Sequence, residues 1–250
     1  MANSAILTSV ATAWSSKPGP GKKMLDLSCG DGDTAQLLAR LGYHVVATDY
    51  GPPPPMPNSI DRVGGVDLNR FLPFRRNSFD AVDLVEVIEH IENQPQLIRE
   101  IARVLRPGGA LVITTPNILN VFSRLRFLFT GFLRGRVRPA HYTSKPGQAP
   151  NIYLLHFYEL YYLLFHYGFE ITELRRTRVK FAARVSTYLF WPFMWVCSFI
   201  AVIRAEKDPV QRRYNWQILS YFFDPALLLS DNIVVMARKT LAVGENSAGS

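Results

Sequence analysis

The sequence contains little cysteine and lacks several features that would point to other classes of protein. Cys29 and Cys197 are the two cysteines among 250 residues. Two thiols are too few for a disulfide framework, so we expect both to be reduced in a cytoplasmic protein. The first residues lack a basic region followed by a long apolar core, which argues against a signal peptide. We expect a leading helix there instead.

Acidic residues are scarce relative to basic ones. The chain has 20 Asp and Glu against 28 Lys and Arg, for a net charge of +8. A basic surface can follow nucleic-acid phosphates, but these residues do not form an RNA-binding signature. They flank apolar segments around residues 124–138 and 175–184. Nucleic acid is therefore a disfavoured partner. An anionic membrane surface is favoured over a merely solvated basic face, with the protein cytoplasmic and peripheral at the membrane.

Residues 24–50 hold the most informative motif of the chain. An apolar run ends at Asp26, a glycine-bearing turn follows at residues 30–32, and an amphipathic segment leads to a second apolar run that closes on Asp49. This order predicts strand, tight turn, helix and strand, which is half of a doubly wound nucleotide-binding fold. Asp49, at the end of the second strand, is placed to accept hydrogen bonds from two ribose hydroxyls.

The side chains of this motif distinguish between nucleotide ligands. A dinucleotide site uses G-x-G-x-x-G so that a pyrophosphate can sit on the helix N-terminus. Here Ala35 stands at the third glycine position, and Asp26 ends the first strand. A carboxylate at that point would repel a pyrophosphate but suits a cation. S-adenosylmethionine carries a sulfonium and an ammonium and no phosphate, so the motif favours it over nicotinamide or flavin cofactors.

The chain continues with alternating strand and helix patterns up to residue 117. The apolar spacing predicts strands at residues 62–66, 79–85 and 110–115, a helix at 97–105 and a turn at 106–109. Asp67 follows the third of the predicted strands, where an acid can accept from an adenine amino group. Alternation of this kind predicts an α/β fold with a parallel sheet.

The motifs LDLSCGDG, ATDY, VDLNRFLPFRRNSFDAVDLVEVIEHI and REIARVLRPGGALVITTPN occur in this order. They resemble those of class I S-adenosylmethionine-dependent methyltransferases, in the subgroup that includes ubiquinone-biosynthesis O-methyltransferases. The resemblance covers residues 22–176 and resumes near residue 231. It implies a Rossmann-like α/β fold with a seven-stranded mixed sheet whose last strand is antiparallel. The chain departs from the family at Ser28, where glycine is usual, and Asp83 places an unexplained charge inside the fourth strand.

The resemblance also implies S-adenosyl-L-methionine as the cofactor and names the residues that would bind it. These residues are Asp26, Ser28, Gly30, Gly32, Asp49, Tyr50, Asp67, Leu68 and Glu86.

Methyl transfer to a hydroxyl requires alignment of the acceptor and removal of its proton. Ligands in such sheets bind past the carboxyl ends of the strands, where Glu89 and His90 follow the fourth strand. With His156 from a later segment, they are the predicted catalytic residues. Glu86, Glu89, His90 and His156 could instead hold a divalent cation, which is the less favoured interpretation. His141, in a basic loop, is a candidate lid residue.

The methyltransferase domain is predicted to comprise residues 1–177 and 231–240. A helical insertion at 178–230 interrupts it, and a disordered tail at 241–250 follows it. Within the insertion, residues 185–203 carry no charge and approach the roughly 20 residues of a membrane span. A single crossing of the membrane would place the last two strands on opposite sides of it, where they could not pair. The insertion therefore has to enter and leave the membrane on the same side.

We therefore predict helices that dip into one leaflet, with Trp191, Trp195 and other aromatic side chains near its interface. A second apolar stretch, residues 216–229, is interrupted by Asp224 and Pro225 and would supply the return. A cap over the site or a dimer interface without lipid is the alternative, and the oligomeric state stays open.

These features together predict O-methylation of a small or lipid-linked acceptor, such as a quinone-like or saccharide-lipid compound. An RNA methyltransferase and a non-catalytic S-adenosylmethionine-binding protein are the alternatives.

Overall fold

The computed structural model of the chain describes residues 4–16, 21–133, 153–205 and 207–240. Its strands are β1 (Lys23–Asp26), β2 (His44–Thr48), β3 (Asp61–Val63), β4 (Phe79–Val85), β5 (Leu105–Pro116), β6 (Phe169–Arg176) and β7 (Asn232–Lys239). Its helices are α1 (Ser4–Ser15), α2 (Asp33–Arg40), α3 (Gln94–Val104), α4 (Val121–Thr130), α5 (Phe157–His166), α6 (Phe181–Ala205), α7 (Pro209–Phe222) and α8 (Pro225–Leu229).

The strands form one seven-stranded sheet in the order β3-β2-β1-β4-β5-β7-β6. Strands β1 to β5 pair in parallel, and β7 pairs antiparallel with both β5 and β6. The predicted fold class is therefore confirmed, including the antiparallel last strand, which lies between β5 and β6. Reversal of strand order beside β1 creates the crevice in which such sheets bind ligands.

Two segments differ locally from the predicted pattern. The third strand is short and ends at Val63 rather than continuing to Val66. The expected turn at residues 106–109 lies inside β5 as a bulge: Phe79 pairs with Leu105 and Ala81 with Ala110, so four residues oppose Asp80. A bulge lets the chain turn without leaving the sheet. A turn-forming sequence is compatible with either a bulge or a loop, so the sequence alone does not tell them apart.

Apolar side chains cover both faces of the sheet in two clusters. Helix α3 contributes an apolar stripe, of which Leu97 and Ile101 are fully buried, to the larger cluster. The smaller cluster includes Val10 and Trp14 of α1 together with Leu38 of α2. The leading helix is therefore packed against the sheet by its own apolar side chains.

Helix α1 also accounts for the charge within β4. Asp83 is fully buried and accepts a hydrogen bond from Trp14 Nε1 at 2.8 Å. The Trp14 ring meets the Tyr43 ring edge-on, with 5.7 Å between centroids. A buried carboxylate needs a donor, and here a helix distant in sequence supplies it.

The insertion between β6 and β7 is helical, as predicted, and its two ends are tied together. Asp231 N donates to Arg178 O at 3.1 Å, and Lys180 Nζ lies 3.0 Å from Asp231 Oδ2. A β-bridge joins Val179 to Ser230. Because β6 and β7 also pair, the insertion leaves and re-enters the sheet at the same place.

The two apolar stretches of the insertion have different environments. A 20-residue part of α6, Ala183–Val202, is long and apolar enough to cross a membrane, and none of its most apolar window is buried. The second stretch is not one segment. Asp224 caps α8 by accepting from Ala226 N at 2.7 Å, and Leu227 in α8 is fully buried in the core. The division into domain and insertion stays a prediction, and His141 and the tail at 241–250 lie outside the described residues.

Candidate cofactor and acceptor site

The turn after β1 is held to the neighbouring strands by backbone hydrogen bonds. Leu27 N donates to Asp83 O at 3.1 Å, and Cys29 N donates to Thr48 O at 2.7 Å. Thr48 Oγ1 donates to Asp26 O at 3.1 Å. The turn is therefore fixed at the carboxyl edge of the sheet, between β4 and β2.

This turn contains residues with left-handed backbone, including one that is not glycine. Gly30 and Gly32 have φ values of 55° and 84°, which glycine adopts without steric cost. Ser28 has φ of 59° at the position where the family usually has glycine. Left-handed backbone costs a non-glycine residue about 1–2 kcal/mol. The serine hydroxyl fits, but the conformation is strained at a ligand-facing turn.

Asp49 connects the turn to the end of β2. Its Oδ2 accepts from Gly30 N at 3.0 Å, and its Oδ1 accepts from Gly51 N at 3.4 Å. The side chain of Tyr50 beside it is largely exposed. A carboxylate with two oxygens held in this way keeps lone pairs for further donors, as the predicted ribose contact requires.

Asp67 lies close to the segment that follows β2. Val66 N donates to Asp49 O at 3.0 Å, which joins the two acid-bearing loops. Asp67 accepts from Asn69 N at 2.9 Å, and its second oxygen lies 3.1 Å from Arg70 Nε. Leu68 is buried in the larger core cluster and anchors this loop.

Asp26, at the end of β1, is buried. One of its oxygens, Oδ2, is enclosed and has no hydrogen-bond partner among the described residues. Burial, together with the charges of Asp83 and Asp49, raises the pKa of Asp26 well above its usual range. A cationic group would relieve this repulsion, whereas a pyrophosphate would add to it. These three acids, Asp26, Asp49 and Asp83, form an acid cluster that suits the ammonium and sulfonium of S-adenosylmethionine.

Glu86 follows β4 and is oriented by two partners. It has φ of 55°, another left-handed backbone outside glycine. Thr114 Oγ1 accepts from Glu86 N at 2.9 Å and donates to Glu86 Oε1 at 3.1 Å. Asn232 Nδ2 donates to the other carboxylate oxygen, Oε2. The sequence pattern did not indicate Thr114 or Asn232 as partners of Glu86. Asn232 is remote in sequence and reaches the site only because β7 lies beside β5 in the sheet.

The predicted catalytic residues lie around a 3₁₀ turn, Ile88–His90. Glu89 is buried and accepts from Thr115 Oγ1 at 3.2 Å. His90 is half-buried beside it. Tyr153 N donates to Glu89 O at 3.2 Å, which brings the segment leading to His156 against this turn.

His156 has a structural contact that the sequence did not indicate. It is the N-cap of α5, where its Nδ1 accepts from Tyr158 N at 3.1 Å and Glu159 completes a capping box. Burial lowers the pKa of His156, Glu159 raises it, and Arg124 lowers it further. Its Phe222 neighbour lies edge-on at 5.7 Å. The imidazole is thus held beside the acceptor edge by its own helix cap.

The four side chains considered for a divalent cation do not form a metal site. Within the described parts of the chain, no group of three or more His, Cys, Asp or Glu could hold a metal ion. Glu86 and Glu89 turn to different partners, Thr114 with Asn232 and Thr115 respectively. The spacing places the side chains near one strand end, but each carboxylate is already oriented by its own hydrogen bonds.

The sheet order and the acids at successive strand ends define a doubly wound nucleoside-binding protein. Comparisons with known proteins give its family. A family profile described as a methyltransferase domain matches residues 4–174. The ubiquinone biosynthesis O-methyltransferase of Hahella chejuensis is 35% identical over 109 residues, covering 39% of this chain and 44% of that protein. The chain thus aligns with less than half the length of such curated relatives.

Two solved structures share the fold at low sequence identity. One is 1,6-didemethyltoxoflavin-N1-methyltransferase from Burkholderia thailandensis with bound S-adenosylhomocysteine. It is 16% identical, with a TM-score of 0.55, covering 95% of this chain and 79% of the other. The second is an S-adenosylmethionine-dependent methyltransferase from Mesorhizobium loti, 15% identical, with a TM-score of 0.52, covering 94% and 98%.

The chain belongs to the class I S-adenosylmethionine-dependent methyltransferases, since the family profile matches more than half of its length. The family and the cofactor predicted from the motifs are confirmed. The residues that would hold the cofactor are Asp26 and Asp49 of the acid cluster and those of the turn between β1 and α2. Their assignment to individual groups of the cofactor stays a prediction.

Proposed function

We propose that this protein methylates an oxygen atom of a small or lipid-linked acceptor at a membrane surface. The observation that carries the proposal is the placement of α6. Its aromatic and aliphatic side chains are exposed, with Tyr188 91%, Leu189 70% and Phe193 69% accessible. The relatives named for ubiquinone biosynthesis are, by their name, O-methyltransferases, which supports a quinone-like acceptor.

The chemistry divides between cofactor and protein. S-adenosylmethionine supplies an activated methyl group whose positive charge makes it a good electrophile. We assign His90 either the removal of the acceptor's proton or the positioning of the acceptor. The reason is that His90 is half-buried at the carboxyl edge of the sheet and directly follows Glu89. Glu89 is a positioning group, since Thr115 and the Tyr153 backbone already hold it.

The exposed helix supports attachment to one leaflet rather than a single crossing. An apolar surface of this extent on a soluble monomer marks an interaction site. Arg178 and Arg184 are exposed at the start of the insertion, where they would meet anionic headgroups. The paired strands β6 and β7 keep both ends of the insertion on the same side.

Two measurements test the proposal. Protein incubated with methyl-labelled cofactor and a total lipid extract should transfer label to a lipid-soluble product. It should also float with vesicles containing anionic lipid, and detach in part at high salt because each basic residue at such a surface contributes only about 1 kcal/mol.

A matched pair of variants separates specific attachment from net charge. Changing Arg178 and Arg184 to Glu should release the protein from vesicles. Changing Arg75 and Arg76 to Glu, exposed residues before β4, should reduce flotation far less. Equal flotation of both variants would reject the membrane part. In a parallel incubation with total RNA, transfer of label to RNA and not to lipid would support the RNA alternative. Cofactor binding without any transfer would support a non-catalytic binding protein.

A further inference from the structure

Arg124 on helix α4 is half-buried, and its guanidinium has no carboxylate partner among the described residues. Arg124 Nε donates to Leu119 O at 2.7 Å. Its Nη2 is buried and has no hydrogen-bond partner among the described residues. Burial lowers the pKa of Arg124 to about 10, which still leaves it charged at neutral pH. Removing part of a guanidinium from water without a counter-ion is unfavourable, so a negatively charged partner would stabilise this group.

Neighbouring parts of the chain do not supply that partner. Burial is the cause of the lowered pKa, and no carboxylate among the described residues raises it. Residues 134–152, which connect α4 to the segment before α5, include three Arg and one Lys but no Asp or Glu. Neither source provides a negative charge for Arg124.

Arg124 belongs to the acceptor side of the site. Helix α4 starts five residues after β5 ends at the carboxyl edge of the sheet, with Asn120 as its N-cap. The positive charge of Arg124 reaches His156, whose ring lies beside Phe222. The Tyr153 backbone joins this segment to Glu89, next to His90. An anion held by Arg124 would thus lie near an aromatic wall and the predicted acceptor base.

We propose that Arg124 binds a singly charged oxyacid group of the methyl acceptor, either a carboxylate or a phosphodiester. This rests on the proposed function and narrows its acceptor class. A guanidinium offers parallel N–H groups to two oxygens of one planar or tetrahedral anion. One positive charge balances one negative charge, which favours these groups over a phosphate monoester carrying nearly two.

Ligand binding without turnover tests the proposal. The protein, saturated with S-adenosylhomocysteine, is titrated with benzoate, dimethyl phosphate and the neutral benzamide, with binding followed by NMR. The parent should bind at least one of the two anions tenfold or more tightly than benzamide. Arg124→Gln should abolish this preference, and Arg124→Lys should keep part of it. Arg126→Gln, which changes a residue lining the groove between α4 and α6, is the matched control and should behave as the parent.

The outcomes are separable from those for the proposed function. Preference for benzoate indicates a carboxylate acceptor, and preference for dimethyl phosphate indicates a phosphodiester. Equal anion binding by the parent and Arg124→Gln, with parental affinity of both for S-adenosylhomocysteine, would overturn the proposal. If Arg124→Gln does not fold, the proposal is still testable with the other proteins. A parent protein that shows no preference for anions, or an Arg126→Gln variant that loses this preference, would overturn the proposal. Anion binding through Arg124 in a protein that transfers no methyl group would reject only the proposed function.

Discussion

Asp83 should make the stability of the fold depend on pH in an unusual direction. Burial raises the pKa of Asp83 from its ordinary 3.8 to about 7, although the hydrogen bond from Trp14 lowers it. The folded state therefore keeps a proton that the unfolded chain releases above pH 4. The protonated carboxyl contributes its full share of the free energy of unfolding below about pH 4. This contribution decreases as the pH rises from about 4 to 7 and is lost above about pH 7.

The magnitude follows from the difference between the two pKa values. At about 1.4 kcal/mol for each pKa unit, ionisation of Asp83 in the folded state costs about 4 kcal/mol. Asp83→Asn should remove this cost, because a neutral amide oxygen can still accept from Trp14 Nε1. The variant should resemble the parent near pH 4 and exceed it at pH 8. Between pH 5 and pH 8 the difference in free energy of unfolding should grow by about 2–3 kcal/mol.

Urea unfolding of both proteins without cofactor, at pH 5, 6, 7 and 8, measures this difference directly. Asp61→Asn, which neutralises an exposed carboxylate at the start of β3, is the control and should follow the parent at every pH. A difference between Asp83→Asn and the parent that stays constant with pH, or a variant less stable than the parent at pH 8, would refute the reasoning.

Three further outcomes are expected. Asp49→Ala should weaken cofactor binding at least tenfold in calorimetry, since hydrogen bonds to a charged group are each worth about 1.5–3 kcal/mol, and unchanged affinity would contradict the ribose assignment. His90→Ala should bind cofactor normally but lose about a hundredfold to ten-thousandfold in turnover, and a near-parental rate would remove His90 from the chemistry. Ser28→Gly should raise the free energy of unfolding by about 0.5–1 kcal/mol, because relief of left-handed strain exceeds the added chain entropy; a loss of stability would show that the hydroxyl has a compensating role.

The sequence predicted the sheet well because its information there is local. Each strand of the first half ends in an acid or a turn, and β7 (Asn232–Lys239) lies within the second segment predicted for the methyltransferase domain. Periodicity also predicted α3, although the helix begins at Gln94, after its N-cap Asn93, three residues before the predicted Leu97.

The remaining features depend on contacts between distant segments. Asp83 accepts a hydrogen bond from Trp14, 69 residues away. Glu86 accepts one from Asn232, 146 residues away, in addition to the one from Thr114. Residue spacing cannot show such partners, so the charge in β4 had no explanation in the sequence. Nor could spacing show that Leu227 is core rather than part of a membrane-facing return, because burial there depends on the packing of α8.

The ties at the base of the insertion have a mechanical consequence. Asp231, which holds Lys180 and the Arg178 backbone, immediately precedes Asn232, the donor to Glu86. Lys180, which directly precedes α6, is therefore linked to the residue that orients Glu86 by one ion pair and one peptide bond. A shift of α6 that moved Lys180 would act directly on Asp231, the residue next to Asn232.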